Sequence, residues 1–129
     1  MEGRQDPDCR RAFPWDAAAW DKELLAFVRA AMAVRHAQPA LRHGAFELLA
    51  ADGGAVAYAR TLAGSPTVVT VLNADTAGGA LAFTLPAGVT RLDAASTALA
   101  SSARVTVDPT EAAVTVEFGP RSLAILVGS

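Results

Sequence analysis

AVTVEFGPRSLAILV, residues 113–127, holds two apolar alternations separated by Gly119-Pro120. In the first, Val114, Val116 and Phe118 fall on one side, with Thr115 and Glu117 on the other. In the second, Leu123, Ile125 and Val127 share a side. A period of two puts alternate side chains on opposite faces of a pleated strand. Both runs therefore read as strands with one face toward a core and one toward water, and Gly-Pro between them marks a turn.

The same pattern extends outward to residue 45. Leu81, Phe83 and Leu85 alternate in ALAFTL. The spacing predicts strands near 45–51, 55–62, 66–73, 79–85, 89–93, 103–108, 112–118 and 121–127. Asp52-Gly53-Gly54, Gly64-Ser65-Pro66, Pro86 to Gly88 and Asp108-Pro109 are turn signals, and the first is a strong hairpin signal. Many short strands with turns at this spacing imply an antiparallel sandwich or barrel.

Before residue 45 the period is that of a helix. Asp21 is a plausible N-cap, because its carboxylate can accept from free amides of the first turn. A helix from about Asp21 to Ala37 would present Leu24, Phe27, Val28, Ala31 and Met32 as an apolar face, with Lys22, Arg29 and His36 opposite. Pro39 ends it, and Gly44 closes the short turn that follows. The helix is expected at a flank or end of the sandwich. Residues 1–16 read as loop, since Asp-Pro and Phe-Pro disfavour helix.

Composition narrows the function. With 129 residues the chain fits one domain and can bury a proper core. A net charge of -2, with no basic cluster beyond Arg10-Arg11, argues against nucleic acid as a partner. No apolar run approaches the ~20 residues of a membrane span. The stretch MEGRQDPDCRRAF lacks the apolar centre of a signal peptide, so a cytoplasmic location is expected. A single cysteine, Cys9, and two histidines, His36 and His43, argue against a disulfide or a zinc site. There is no nucleophile elbow, phosphate loop or dinucleotide motif, so no catalytic residue, metal or cofactor is expected.

DPDCRRAFPW, residues 6–15, is the chemically dense stretch. Asp6, Asp8, Arg10 and Arg11 could bind a neutral polyol, because carboxylates accept from hydroxyls and guanidinium donates two parallel hydrogen bonds. The other reading is a salt-bridged loop that ties the N-terminus down, and spacing alone favours it.

DPDCRRAFPWD, with WDKELLAFVRAAMAVRHAQPALRHGAF after it, resembles the tail of glycoside hydrolase family 13 enzymes, the α-amylase family. The likeness is to the neopullulanase, cyclomaltodextrinase and maltogenic amylase branch. It is specific over residues 6–46 and generic in VAYAR, VVTVLN and FGPRSLAILV. Ala12 stands where that family usually has proline.

The resemblance implies that residues 1–44 are the final loop and helix of a (β/α)8 barrel. Residues 45–129 would then be a C-terminal antiparallel Greek-key β-sandwich of about eight strands, so the chain would be mainly β. Asp6 and Arg10 would contact sugar at the rim of the cleft. The catalytic carboxylates would come from barrel strands that precede this chain, so the chain alone is not expected to hydrolyse a glucan. A barrel needs ~250 residues.

The implied partners are that barrel and, in the intact enzyme, an α-glucan oligosaccharide. The apolar helix face would be left exposed or covered by a second copy of the chain as a homodimer. The alternatives are a stand-alone carbohydrate-binding module using Trp15, Trp20 and Tyr58, or an immunoglobulin-like interaction domain. The first forty-six residues argue against the latter.

Overall fold

The computed structural model describes residues 5, 6, 9, 10, 12–96, 99, 103–108 and 110–129. A 3-10 turn at Ala17–Ala19 precedes helix α1, Lys22–Ala37. Asp21 caps α1, its Oδ1 accepting from the Leu24 amide at 2.9 Å. Where a plain turn was expected after Pro39, a short helix α2, Ala40–His43, forms. Pro39 is compatible with a first helical turn, where no amide is needed. Gly44 then lies so close to the Ala40 and Thr61 carbonyl oxygens that a Cβ would sit 2.5 and 2.8 Å from them.

Among the described residues eight strands follow: β1 Ala45–Asp52, β2 Ala55–Thr61, β3 Val68–Asn73, β4 Gly79–Thr84, β5 Leu92–Ala94, β6 Ala103–Asp108, β7 Ala113–Phe118 and β8 Ser122–Gly128. They form two antiparallel sheets, ordered β1-β2-β3-β8-β5 and β4-β7-β6. The fold is the mainly β sandwich that the alternation implies. Asp52-Gly53-Gly54-Ala55 closes the β1–β2 hairpin, with Gly53 at φ 53. β5 begins three residues later than its expected start at 89. Pro86 to Gly88 turns the chain, and the Thr90 and Arg91 amides bond the Ser129 carbonyl instead of a strand partner.

Between the sheets lies the main core. Ala57, Ala59, Val69, Val71, Leu81, Phe83, Val114, Val116, Ala124 and Leu126 meet there. The small alanines of β2 let the sheets approach closely.

Two expectations need correction. First, the outer face of the five-stranded sheet is wet only in part: Phe46 and Leu72 are exposed, but one patch is covered. Val68 and Ile125 point outward and are buried with Val34, Ala40 and Leu99 in a second cluster. The C-terminal half of α1 rests on that patch, and most of the rest of the helix is exposed. Second, Leu123, Ile125 and Val127 do not enter the sandwich core; Ala124 and Leu126 do. β8 is apolar on both faces because both are covered, which is the signature of a two-sided buried strand. Phe13, Phe27 and Phe46 are exposed, while Phe83 is buried.

α1 is seated by Ala30, Ala31 and Val34, a stripe rotated from the expected apolar face. Leu24, Phe27, Val28 and Met32 remain exposed, as the resemblance led one to expect.

Two stability tests follow. Ile125→Ala should lower unfolding stability by about 2–4 kcal/mol in a urea titration, because it empties the cluster under α1. Ala112, at φ 51, occupies the left-handed region. Ala112→Gly should raise stability by about 0.5–1 kcal/mol, since the steric cost of a Cβ there exceeds the added chain entropy of glycine.

Candidate functional site

Asp6 and Arg10 form an exposed ion pair. Arg10 Nε lies 2.7 Å from Asp6 Oδ1, and its NH2 donates to Asp6 Oδ2 at 2.7 Å. This is the bidentate fork that a guanidinium and a carboxylate make when coplanar. The side chains are 75% and 58% exposed. A pair this wet adds little stability. What it does is orient both groups, leaving N–H groups and oxygen lone pairs free to meet vicinal hydroxyls. Cys9 Sγ also lies 3.8 Å from Asp6 Oδ1. Asp8 and Arg11, the other members of the charged set, lie outside the described residues.

Aromatic groups complete this end of the molecule. Phe13 stands edge-on to Trp15 with ring centroids 5.1 Å apart, and 5.8 Å from Trp20. Trp20 Nε1 donates to the Pro14 carbonyl at 2.6 Å, which folds the loop back onto the start of α1. Asp16 Oδ1 accepts from the Ala18 amide and starts the 3-10 turn. Trp15 is 83% exposed, an open ring. An apolar groove of about 490 Å³ runs between Phe13, Trp20 and Leu24. Tyr58 is not part of this group; it packs on Phe46 at 5.3 Å, on the outer face of the large sheet.

The other polar candidates are structural. The Asp75 carboxylate accepts from the Gly54 amide, and Asp93 pairs with Arg91. The Thr110 hydroxyl and amide bond Asp108 and hold its carboxyl below the usual carboxylate range, as in an ordinary Asx turn. Among the described residues no three His, Cys, Asp or Glu side chains gather as metal ligands. No helix there is long and apolar enough to cross a membrane.

Sequence reasoning missed a second concavity. Between α1 and the outer sheet face is a groove of about 490 Å³ floored by Phe46, Tyr58, Thr70 and Leu72. Arg35 and Arg60 stand on it, each donating to a carbonyl of α2, those of Leu41 and Ala40. Thr70 Oγ1 is buried there without a hydrogen-bond partner. The signal was present in VVTVL: one hydroxyl inside an unbroken apolar run marks a strand covered on both sides.

No family model matches the chain. Among curated proteins it is 37% identical over 83 residues to a cyclomaltodextrinase of Bacillus sp. That match covers 63% of this chain and 15% of the relative. It is 39% identical over 75 residues to a cyclomaltodextrinase of Geobacillus thermopakistaniensis, covering 57% and 13%. Among solved structures, a cyclomaltodextrinase superposes on the whole chain with a TM-score of 0.77 at 25% identity, over 21% of its own length. The cyclic α-maltosyl-(1→6)-maltose hydrolase of Arthrobacter globiformis does so at 0.66 and 26%, over 24% of its length. An α-amylase of H. orenii shares the fold at 12% identity, with a TM-score of 0.62 over 89% of this chain. The chain thus spans between about one eighth and one quarter of the length of the proteins it matches. It is a homologue of one segment of the cyclomaltodextrinases, enzymes of glycoside hydrolase family 13, the α-amylase family.

Proposed function

We propose that this chain is the C-terminal, non-catalytic part of a larger cytoplasmic enzyme acting on α-glucans. In this reading residues 1–44 complete a catalytic barrel, and the sandwich of residues 45–129 packs on it. The observation that carries the reading is the extent of the likeness. Loop, helix and sandwich together fit within a cyclomaltodextrinase structure, yet they account for only 21% of it.

The chemistry of the N-terminal loop agrees. A retaining glycosidase needs two carboxylates roughly 5–5.5 Å apart. The oriented carboxylate of this loop, Asp6, is engaged by Arg10. The fork suits recognition of sugar hydroxyls at the lip of a cleft, while bond cleavage falls to barrel residues supplied elsewhere. An α-glucan oligosaccharide is the ligand in this reading, and the barrel is the protein partner. A homodimer through the helix face is the remaining partner expectation.

A second reading, a stand-alone carbohydrate-binding module, draws on the open ring of Trp15. Stacking of a sugar face on an exposed indole is the usual device of such modules. Saturable binding of maltotriose by the isolated chain, abolished by Trp15→Ala, would put this second reading first.

Purified chain from an amylase-free host should release no reducing sugar from maltotriose or a cyclodextrin. A clear release would overturn the non-catalytic reading. In the larger enzyme, Arg10→Ala should lower kcat/KM for maltotriose by roughly ten- to a hundredfold, the worth of one or two charge-assisted hydrogen bonds. An unchanged kcat/KM would remove Arg10 from the cleft.

A further inference from the structure

The groove between α1 and the outer sheet face is built by side chains from both helices and four strands. The strand register lays its floor, with Tyr58 opposite Thr70, Thr70 opposite Ile125, and Leu72 opposite Leu123. Phe46 lies opposite Arg60 at its edge. The volume, about 490 Å³, falls within the range of small-molecule sites. No residue is shared with the groove at Phe13 and Trp20, so this concavity is separate from the N-terminal loop and from Leu24 and Val28.

Both charged side chains on this groove are cations, Arg35 and Arg60. Arg35 Nη1 donates to the Leu41 carbonyl at 2.8 Å, and Arg60 Nε to the Ala40 carbonyl at 3.4 Å. Those carbonyls are successive in α2, so the two guanidiniums are held at one end of the groove. A guanidinium carries five N–H groups, and each carbonyl takes one. Among the described residues neither arginine pairs with a carboxylate. Thr70 adds a buried hydroxyl without a hydrogen-bond partner beside the floor. Donors therefore exceed acceptors, and a complementary occupant brings acceptors and negative charge. A planar carboxylate fits best, because it meets guanidinium N–H groups in parallel pairs. The anchored side chains lose little further freedom when they meet it. The rest of the lining is apolar, and Phe46 and Tyr58 lie with ring centroids 5.3 Å and planes 32° apart, a surface suited to a flat ring.

We propose that this groove binds a small aromatic carboxylate, its head between Arg35 and Arg60 and its ring on the floor of Tyr58 and Leu72. The site is independent of the α-glucan reading, which rests on the N-terminal loop and on the extent of the likeness to cyclomaltodextrinases. A neutral sugar lacks the charge that these two arginines call for.

The test is a titration of the full chain with 3-phenylpropionate, followed by the backbone N–H signals in NMR. The signals of Tyr58, Thr70 and Leu72 should shift saturably, with a Kd of about 1 mM, the reach of a ligand this small. The neutral 3-phenylpropanamide keeps the ring and chain without the charge, and should bind about tenfold more weakly or worse. That comparison uses the unaltered chain and does not depend on any variant folding. Arg35→Gln and Arg60→Gln should each weaken 3-phenylpropionate by about five- to tenfold. Leu72→Glu sets a carboxylate of the chain's own in the groove and should abolish binding. No shift at about 20 mM, well above the Kd expected for such a ligand, would overturn the proposal. So would equal affinity for the acid and the amide, shifts confined to other residues, or displacement of the acid from these signals by maltotriose.

Discussion

The pairing of β3 with β8 is the constraint on which this structure rests. The two strands run antiparallel from Val68 opposite Val127 to Asn73 opposite Ser122, at the centre of the five-stranded sheet. On one face Val69, Val71, Ala124 and Leu126 are buried, and on the other Val68 and Ile125. A strand pair that is apolar on both sides must be covered on both sides. The three-stranded sheet covers one face and α1 covers the other. The molecule is therefore three layers over part of its area, and the helix is integral to it rather than an appendage. Thr70, in the middle of β3, keeps a buried hydroxyl without a hydrogen-bond partner beside the groove that α1 leaves unfilled.

The loops beyond β3 and β7 are locked by one buried amide. Asn73, 5% exposed, donates through Nδ2 to the Ala77 and Gly119 carbonyls and accepts from the Asp75 amide. A buried polar group is tolerable when its bonds are all made, and here they link the β3–β4 and β7–β8 connections. Asp75 extends the link, accepting from the Gly54 amide with its side chain and from the Arg121 amide with its backbone. That last bond helps hold Arg121 at φ 41, a conformation that costs a non-glycine residue energy. The strain is local, and the neighbouring network over-determines it.

The functional reading depends on a contrast between the two ends of α1. Its C-terminal half is anchored on the sheet by Ala30, Ala31 and Val34, whereas its N-terminal half carries exposed Leu24, Phe27 and Val28. A soluble domain rarely presents so many large apolar groups on one face unless something covers them. The N-terminal loop, with its wet Asp6–Arg10 fork and the open ring of Trp15, joins that same half of the helix. The exposed charged pair and the uncovered apolar surface thus occur in the same part of the chain, the part that contributes least to its own core.

Much of this was legible in the sequence. Period-two alternation is plainest in β4 and β7, because one-sided burial writes itself as polar and apolar residues in turn. Asp21 marked the start of α1 because a capping carboxylate is a local device. Only the tertiary structure decided which face of β8 enters the sandwich. LAILV is apolar at every position, so its pattern has no phase, and the choice fell to the partners available on each side. The seating of α1 by Ala30, Ala31 and Val34, in place of the larger Leu24 and Phe27, was likewise hidden. Small side chains let a helix lie close on a sheet, so contact distance there outweighed the hydrophobicity that a sequence displays.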